Sequence, residues 1–464
     1  MPGQAQTPER LTTRRGLRRA AALVCTAALV VTLVGGCGSS GTPSANAGDA
    51  GVHINTNTPP GVRAQQVMDM LNSDWPIGPV GIKTLTAPDL VDSVGTTMDG
   101  MWYDRPYTIA GVEIGAGAAT LHIVSSYGAR QDIELHTDDS LLVDRFKVTT
   151  QTPQIKSWAD VDAVLSKTGA KYSYRVSRVN DGKCDQFAGT NTTESLPLAS
   201  IFKTYVLYAV GEEITAGRLS WDDQLTITAE GKAVGSSGFD KLPPGTQVSV
   251  RTAAQKMISN SDNMATDMLI ERVGIHAVER ALADAGHHDP ASMTPFPTMH
   301  ELFSIGWGKP DLRDQWQHAN AAGRAALLKD ASSRPYEPDP LHTRDPGSAY
   351  GIEWYGSAED ICRVHAALQT AAVGPAAPIK EIMSAISGID LDRQLWPYIG
   401  AKAGNLPGDL TFSWYAVDRT GQPWVLSLQM NWPRFHGPGT AGWLMTIIKQ
   451  MFALIPVGQA PPAH

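Results

Sequence analysis

The run Leu198-Ala199-Ser200-Ile201-Phe202-Lys203-Thr204-Tyr205-Val206-Leu207-Tyr208 decides how the rest of the chain is read. Ile201, Phe202, Tyr205, Val206, Ala209 and Val210 put apolar residues nearly all round a helix, which predicts a mostly buried helix starting near Ser200. At i,i+3 spacing, Ser200 and Lys203 share one face of its first turn. A hydroxyl is a weak nucleophile until a base takes its proton, and a desolvated lysine can be that base. The helix N-terminus adds positive potential, which disfavours a protonated lysine and favours an oxyanion. Ser-x-x-Lys is a short and common pattern, so its meaning depends on its company.

Two further motifs supply that company. Ser261-Asp262-Asn263 lies within helical patterning from about Thr252 to Ala285, and Lys402-Ala403-Gly404 ends a strand that precedes a hairpin. Ser-x-x-Lys, Ser-Asp-Asn and Lys-x-Gly, in that order, form the three-part signature of penicillin-recognising serine acyltransferases. Residues 157–456 therefore resemble the class A β-lactamase and penicillin-binding-protein superfamily. Pro243-Pro244-Gly245-Thr246, running into Met257 and the second motif, is similar to the family's usual approach. The third motif follows at a longer interval than usual, which fits extra material in 287–356.

The resemblance implies an α/β (α+β) β-lactamase/transpeptidase-like domain over 155–456, an antiparallel sheet flanked by helices. It also implies roles. Ser200 attacks a strained amide or ester carbonyl and Lys203 takes its proton. Backbone N–H groups of Ser200 and Asn405 form the oxyanion hole, with Gly404 beside them. Ser261 relays a proton to the leaving group, Asn263 binds the acyl side chain, and Lys402 attracts a substrate carboxylate.

Two departures bear on turnover. Class A enzymes carry a glutamate, after the second motif, that activates the deacylating water. Here that region offers only Glu301, in Thr298-Met299-His300-Glu301, which reads as the first turn of a helix rather than as a base. Ala403 stands where the family usually has a hydroxyl. Acylation chemistry is complete, and rapid penicillin turnover is not expected. His287, His288, Asp289 and His300 lack further ligands at metal-site spacing and read as loop residues; neither metal nor cofactor is expected.

Residues 1–36 read as a signal. Arg14-Arg15 and Arg18-Arg19 precede an apolar run from Ala20 to Val34, and Gly35-Gly36-Cys37 resembles a bacterial lipobox. The arginine pair resembles a twin-arginine export signal. The expectation is a lipid on Cys37 and a body on the outer face of the cell membrane. Residues 37–60, rich in Gly, Ser, Thr and Asn, read as a flexible tether. With Cys25 in the signal, Cys184 and Cys362 remain, and a disulfide or two buried thiols are both open.

Residues 61–152 read as a small α+β unit: helices from Val62 and Pro88, then alternating strands at Thr120–Val124, Gln131–His136 and Leu141–Val148. With the signal and Glu353-Trp354-Tyr355-Gly356, this unit resembles actinobacterial LpqF-type lipoproteins and the ORF 12-like proteins of clavulanic acid gene clusters. There an NTF2-like domain precedes the lactamase-like one. Its ligand is not legible.

A length of 464 residues suits two domains plus tails, and 42% hydrophobic with 18% charged residues marks a globular chain. The net charge is −8 although residues 1–36 carry five arginines and one glutamate, so the rest is more acidic still. Nucleic acid is therefore a poor partner. Three functions fit: an exported lipid-anchored serine hydrolase acting on β-lactams or small esters with weak turnover, a penicillin-binding or sensor lipoprotein without turnover, and a peptidoglycan peptidase with a cell-wall ligand.

Overall fold

The computed structural model describes residues 52–228 and 238–458. The expected signal, Cys37 and most of the tether lie outside them. Helix α1 (Pro59–Leu71) begins inside the stretch read as tether. The Thr58 side chain accepts from Gly61 N, and prolines fill first-turn positions where no amide hydrogen is needed.

α2 (Pro79–Leu85) and α3 (Val91–Trp102) follow, then an antiparallel meander of β1 (Thr108–Ile114), β2 (Ala118–Val124), β3 (Arg130–Thr137) and β4 (Val143–Thr150). Leu121, Ile123, Ile133 and Leu135 alternate onto one face and bury against Val67, Leu71 and Met98. Gly128, at φ 86°, turns the chain between β2 and β3. Neither α2 nor β1 was expected. The register of β1 shifts between Ile109 and Gly111, which interrupts its alternation. Asp104 joins this unit to the next: its buried carboxylate accepts from Gly437 N (2.8 Å), and Arg434 donates to Tyr103 O (2.7 Å).

Ser157 caps α4 (Trp158–Leu165). β5 (Lys171–Asn180) and β6 (Lys183–Thr190) are joined by Asp181 and Gly182, both at positive φ, as a tight two-residue hairpin requires. β7 (Leu196–Pro197) leads through a 3-10 turn, Ala199–Phe202, into the buried α5 (Lys203–Thr215). The ladder of β8 (Gln224–Thr226) and β9 (Gln247–Ser249) precedes α6 (Val250–Ser259), α7 (Asn263–Val273) and α8 (Ile275–Asp284). The Pro-rich stretch holds α9 (Met299–Trp307), which begins where Thr298–Glu301 reads as a helix start, then α10 (Arg313–His318) and α11 (Ala321–Ser332). β10 (Tyr355–Gly356) pairs back to β7, and α12 (Ala358–Ala371) and α13 (Pro378–Ser384) follow. β11 (Tyr398–Leu406), β12 (Asp409–Val417), β13 (Pro423–Asn431) and α14 (Gly439–Ala453) close the domain.

The main sheet runs β11-β12-β13-β5-β6, wholly antiparallel, so both ends of the domain meet at the β13–β5 pair. On one face Trp424, Leu426 and Leu428 pack with Trp443, Leu444, Ile447 and Met451 of α14. α12 lies across the other, with α5 behind it. Gln429 points to that side and donates to Gly356 O (3.0 Å), tying the sheet to the β7–β10 ladder. Cys184 of β6 and Cys362 of α12 form a disulfide, which resolves the open alternative. Closing a loop of 178 residues restricts the unfolded chain, an effect typically of about 2–4 kcal/mol. Among the described residues, no helix is long and apolar enough to cross a membrane.

Candidate active site

Ser200 sits in the 3-10 turn, one residue after Ala199 at φ 43°. A non-glycine residue there costs about 1–2 kcal/mol, so the turn must be held from outside. Leu198 N donates to Trp354 O (2.8 Å), and Phe202 stacks on Trp354 with centroids 3.7 Å apart. Ser200 is half-buried while Ile201, Phe202 and Lys203 are fully buried, so the hydroxyl-bearing residue alone reaches the surface. β11 approaches this turn closely. A Cβ on Gly404 would lie 2.3 Å from Ser200 N and 2.9 Å from Ala199 Cβ, which explains the glycine.

Ser261 is not inside a helix. It occupies the connection between α6 and α7 at φ 55°, and Asp262 rather than Ser261 caps α7 by accepting from Ala265 N (2.9 Å). This turn frees the Ser261 hydroxyl and carbonyl to face Lys203, whose Nζ donates to Ser261 O (2.7 Å), Ser261 Oγ (3.1 Å) and Asn263 Oδ1 (2.6 Å). Lys402 Nζ donates to the same Ser261 Oγ (3.0 Å) and to Ala403 O (2.6 Å). Both lysines are buried. Burial, and then the charge of Lys402, push Lys203 well below its ordinary range, while burial lowers Lys402 to about 7. Both effects favour the free amine of Lys203, the form able to accept a proton.

The structure thus brings Lys203, Ser261, Asn263 and Lys402 together, and Gly404 against Ser200. Asn405 follows on β11 and is exposed, as is Ala403. Asn263 is engaged by Lys203 rather than left free for a ligand. Glu301 is a helix residue, as read: its Oε2 accepts from Thr298 N (2.8 Å) and Thr298 Oγ1 (3.0 Å) in a capping box. His287, His288 and Asp360 gather within 4.8 Å, with His288 and Asp360 bound to each other and His287 to the backbone. His287 Nε2 meets Tyr355 O (2.9 Å), its Nδ1 accepts from Asp289 N (3.1 Å), and Asp360 takes His288 and caps α12 through Ser357. His300 Nε2 meets Arg334 O (2.9 Å).

Sequence reading missed two buried groups beside the site. Ser413 Oγ donates to Lys402 O (2.9 Å), so His365 Nε2–H, at 2.8 Å, donates to Ser413. Burial takes that ring down to about 4. Glu353, next to Trp354, faces Ala199 N–H and Asp409. Neither has a motif or a spacing to signal it.

Residues 156–325 match the family described as "Beta-lactamase enzyme family", a span that takes in Ser200, Lys203, Ser261 and Asn263 and ends before Lys402. The chain carries a β-lactamase-family domain. Residues 54–143, ahead of it, match "ORF 12 gene product N-terminal". Among solved structures the chain is similar to the beta-lactamase from Sphaerobacter thermophilus DSM 20745, at 18% identity over 66% of this chain and 97% of that one, TM-score 0.44. It is also similar to PBP-A, at 15% identity over 66% and 99%, TM-score 0.43. The chromosome-encoded beta-lactamase of Vibrio parahaemolyticus aligns at 15% identity over 63% and 96%, TM-score 0.45. No curated protein matches the chain. The five-stranded antiparallel sheet with helices on both faces is the fold of the β-lactamase-family domain.

Proposed function

We propose that Ser200 of the β-lactamase-family domain is acylated by β-lactams or small esters and that the acyl-enzyme is hydrolysed slowly. One observation carries the reading: two buried lysines converge on the Ser261 hydroxyl beside the Ser200 turn. Deprotonated Lys203 takes the Ser200 proton as the hydroxyl attacks the carbonyl. Backbone N–H groups of Ser200 and Asn405 receive the oxyanion. Ser261 passes a proton to the departing nitrogen or oxygen, and Lys402 draws the substrate carboxylate. The capping of Glu301 favours a second outcome of the same chemistry, a penicillin-binding or sensor protein that retains its acyl group, because that carboxylate is already committed to Thr298. The peptidase reading has no observation of its own.

Export and anchoring belong to the same proposal. They rest on Arg14-Arg15, the apolar run and Cys37, and they place the domain on the outer face of the membrane. The NTF2-like character of the leading unit is proposed from its resemblance alone.

Intact-mass spectrometry of the protein mixed with a penicillin, followed over time beside Ser200→Ala, tests the acylation. The expected result is an adduct of the penicillin's mass, lasting minutes or longer and absent from the variant. Product without an adduct replaces slow by rapid turnover, and an adduct that survives Ser200→Ala refutes the assignment of the nucleophile.

A further inference from the structure

Behind the nucleophile turn lie two carboxyl groups that the chemistry above does not use. Glu353 is 7% exposed and Asp409 1%. Glu353 Oε1 accepts from Trp354 N (2.7 Å), and the Ala199 amide lies near enough to act on the same carboxyl. Asp409 Oδ1 accepts from Asn431 Nδ2 (2.5 Å) and Ser348 Oγ (3.2 Å). One oxygen of each, Glu353 Oε2 and Asp409 Oδ2, is buried with no hydrogen-bond partner. Two carboxylates cannot both ionise cheaply in such a place. Burial and each other's charge hold Glu353 well above the carboxylate range, and burial holds Asp409 at about 7. The remaining titratable neighbours are Tyr355, adjacent in sequence, and Arg324 of α11, which acts on Tyr355. Neither lysine of the site is among the groups that shift this pair.

Position gives the pair its meaning. Glu353 touches the residue before Ser200, and Asp409 opens β12, whose hairpin partner β11 carries Gly404 and Asn405. The two carboxyls therefore stand on the two segments, the Ser200 turn and the β11–β12 hairpin, that meet at Gly404.

We propose that Glu353 and Asp409 share a proton and so clamp the Ala199–Ser200 turn to the β11–β12 hairpin, making Glu353 a positioning residue for the acylation of Ser200. This rests on the acylation reading for its consequence but not for its existence. A neutral acid, unlike a carboxylate, can both accept from Ala199 N–H and donate to its partner. A clamp of this kind fixes the width of the oxyanion gap without touching substrate.

Three variants test it: Glu353→Gln and Asp409→Asn, which imitate the neutral acid, and Glu353→Leu, which cannot accept a hydrogen bond. Two readouts are needed, the first-order rate of penicillin labelling at saturation and amide hydrogen exchange in the peptide spanning 198–203. The expected result is labelling within about twofold of native for Gln and Asn. For Leu it is a loss of about tenfold or more in rate with unchanged apparent affinity, and exchange faster by a similar factor. Native behaviour of Glu353→Leu in both readouts overturns the clamp. Gln behaving like Leu overturns the shared proton. If the native protein takes no label, the acylation reading fails by itself and the exchange comparison still decides. If Glu353→Leu does not fold, thermal unfolding between pH 5 and 8 decides: Glu353→Gln and Asp409→Asn should flatten the native fall in Tm, and an unaltered fall in both overturns the proposal.

Discussion

Two buried pairs of like groups flank the nucleophile turn, and they are built in opposite ways. Lys203 and Lys402 meet on Ser261 Oγ, and each nitrogen has at least two acceptors. Glu353 and Asp409 each keep one oxygen without a partner. Burial drives both pairs toward neutrality, but the lysine pair has exchangeable contacts on its open side, next to half-buried Ser200 and Ser261. The acid pair is closed in by Trp354, Asn431 and Ser348. On the chemistry proposed above, the group whose proton must move is left a route, and the group that only holds is sealed. Shifted pKa values alone would not separate these two kinds of site.

The contrast breaks most severely at Lys203. Lys203→Ala should cut the labelling rate by about 10³-fold, read by intact mass over time, since it removes the amine that meets Ser261 and Asn263. Next is Gly404→Ala. Its Cβ would lie 2.3 Å from Ser200 N, so the two amide-bearing segments must part. A loss of about 10²-fold in labelling, with a lower Tm by scanning calorimetry, is expected.

A pH series sharpens the comparison from the lysine side. Lys203 must be deprotonated to act, so the saturating labelling rate should climb with pH, about tenfold per unit, below the depressed pKa and level above it. Apparent affinity for a carboxylate-bearing penicillin should weaken as Lys402 loses its charge above about 7. A rate that falls with rising pH would contradict Lys203 as the base.

The smallest effect is on stability, and its sign differs between the pairs. A lysine lowered to about 7 destabilises the fold while protonation is forced on it, and that cost fades as pH rises from 7 toward 10.5. A carboxyl raised from 3.8 to about 7 leaves stability intact at pH 4 and loses it as pH climbs to 7. Lys402→Met should therefore raise Tm most at or below pH 7, and Asp409→Asn should do so most at pH 8, each by about 3 °C or more. Equal gains at all pH values in calorimetry would mean packing, not charge, is the cause.

The lysine pair was legible in the sequence and the acid pair was not, for a physical reason. Ser200, Lys203, Ser261 and Lys402 sit in short motifs whose order carries information. Glu353 and Asp409 lie 56 positions apart, one in an irregular stretch and one at a hairpin, and only packing unites them. His365 and Ser413 escaped for the same reason. Ser261 looked helical because α6 and α7 are separated by a turn of three residues, too short to interrupt the apolar pattern. α10 was lost in the Pro-rich stretch, whereas Thr298 and Glu301 marked the start of α9.

The order of the sheet carries a consequence for synthesis. β13, made last of the five strands, lies in the interior between β12 and β5. Until residue 431 has been made, β5 and β6 form an isolated hairpin with an unpaired edge, while the lysine of α5 and the Ser261 turn are already complete in the nascent chain. Such long-range pairing slows folding and leaves strand edges open to association. A polypeptide halted before β13 would hold nearly every reactive side chain and lack the central strand that joins the two halves of their sheet.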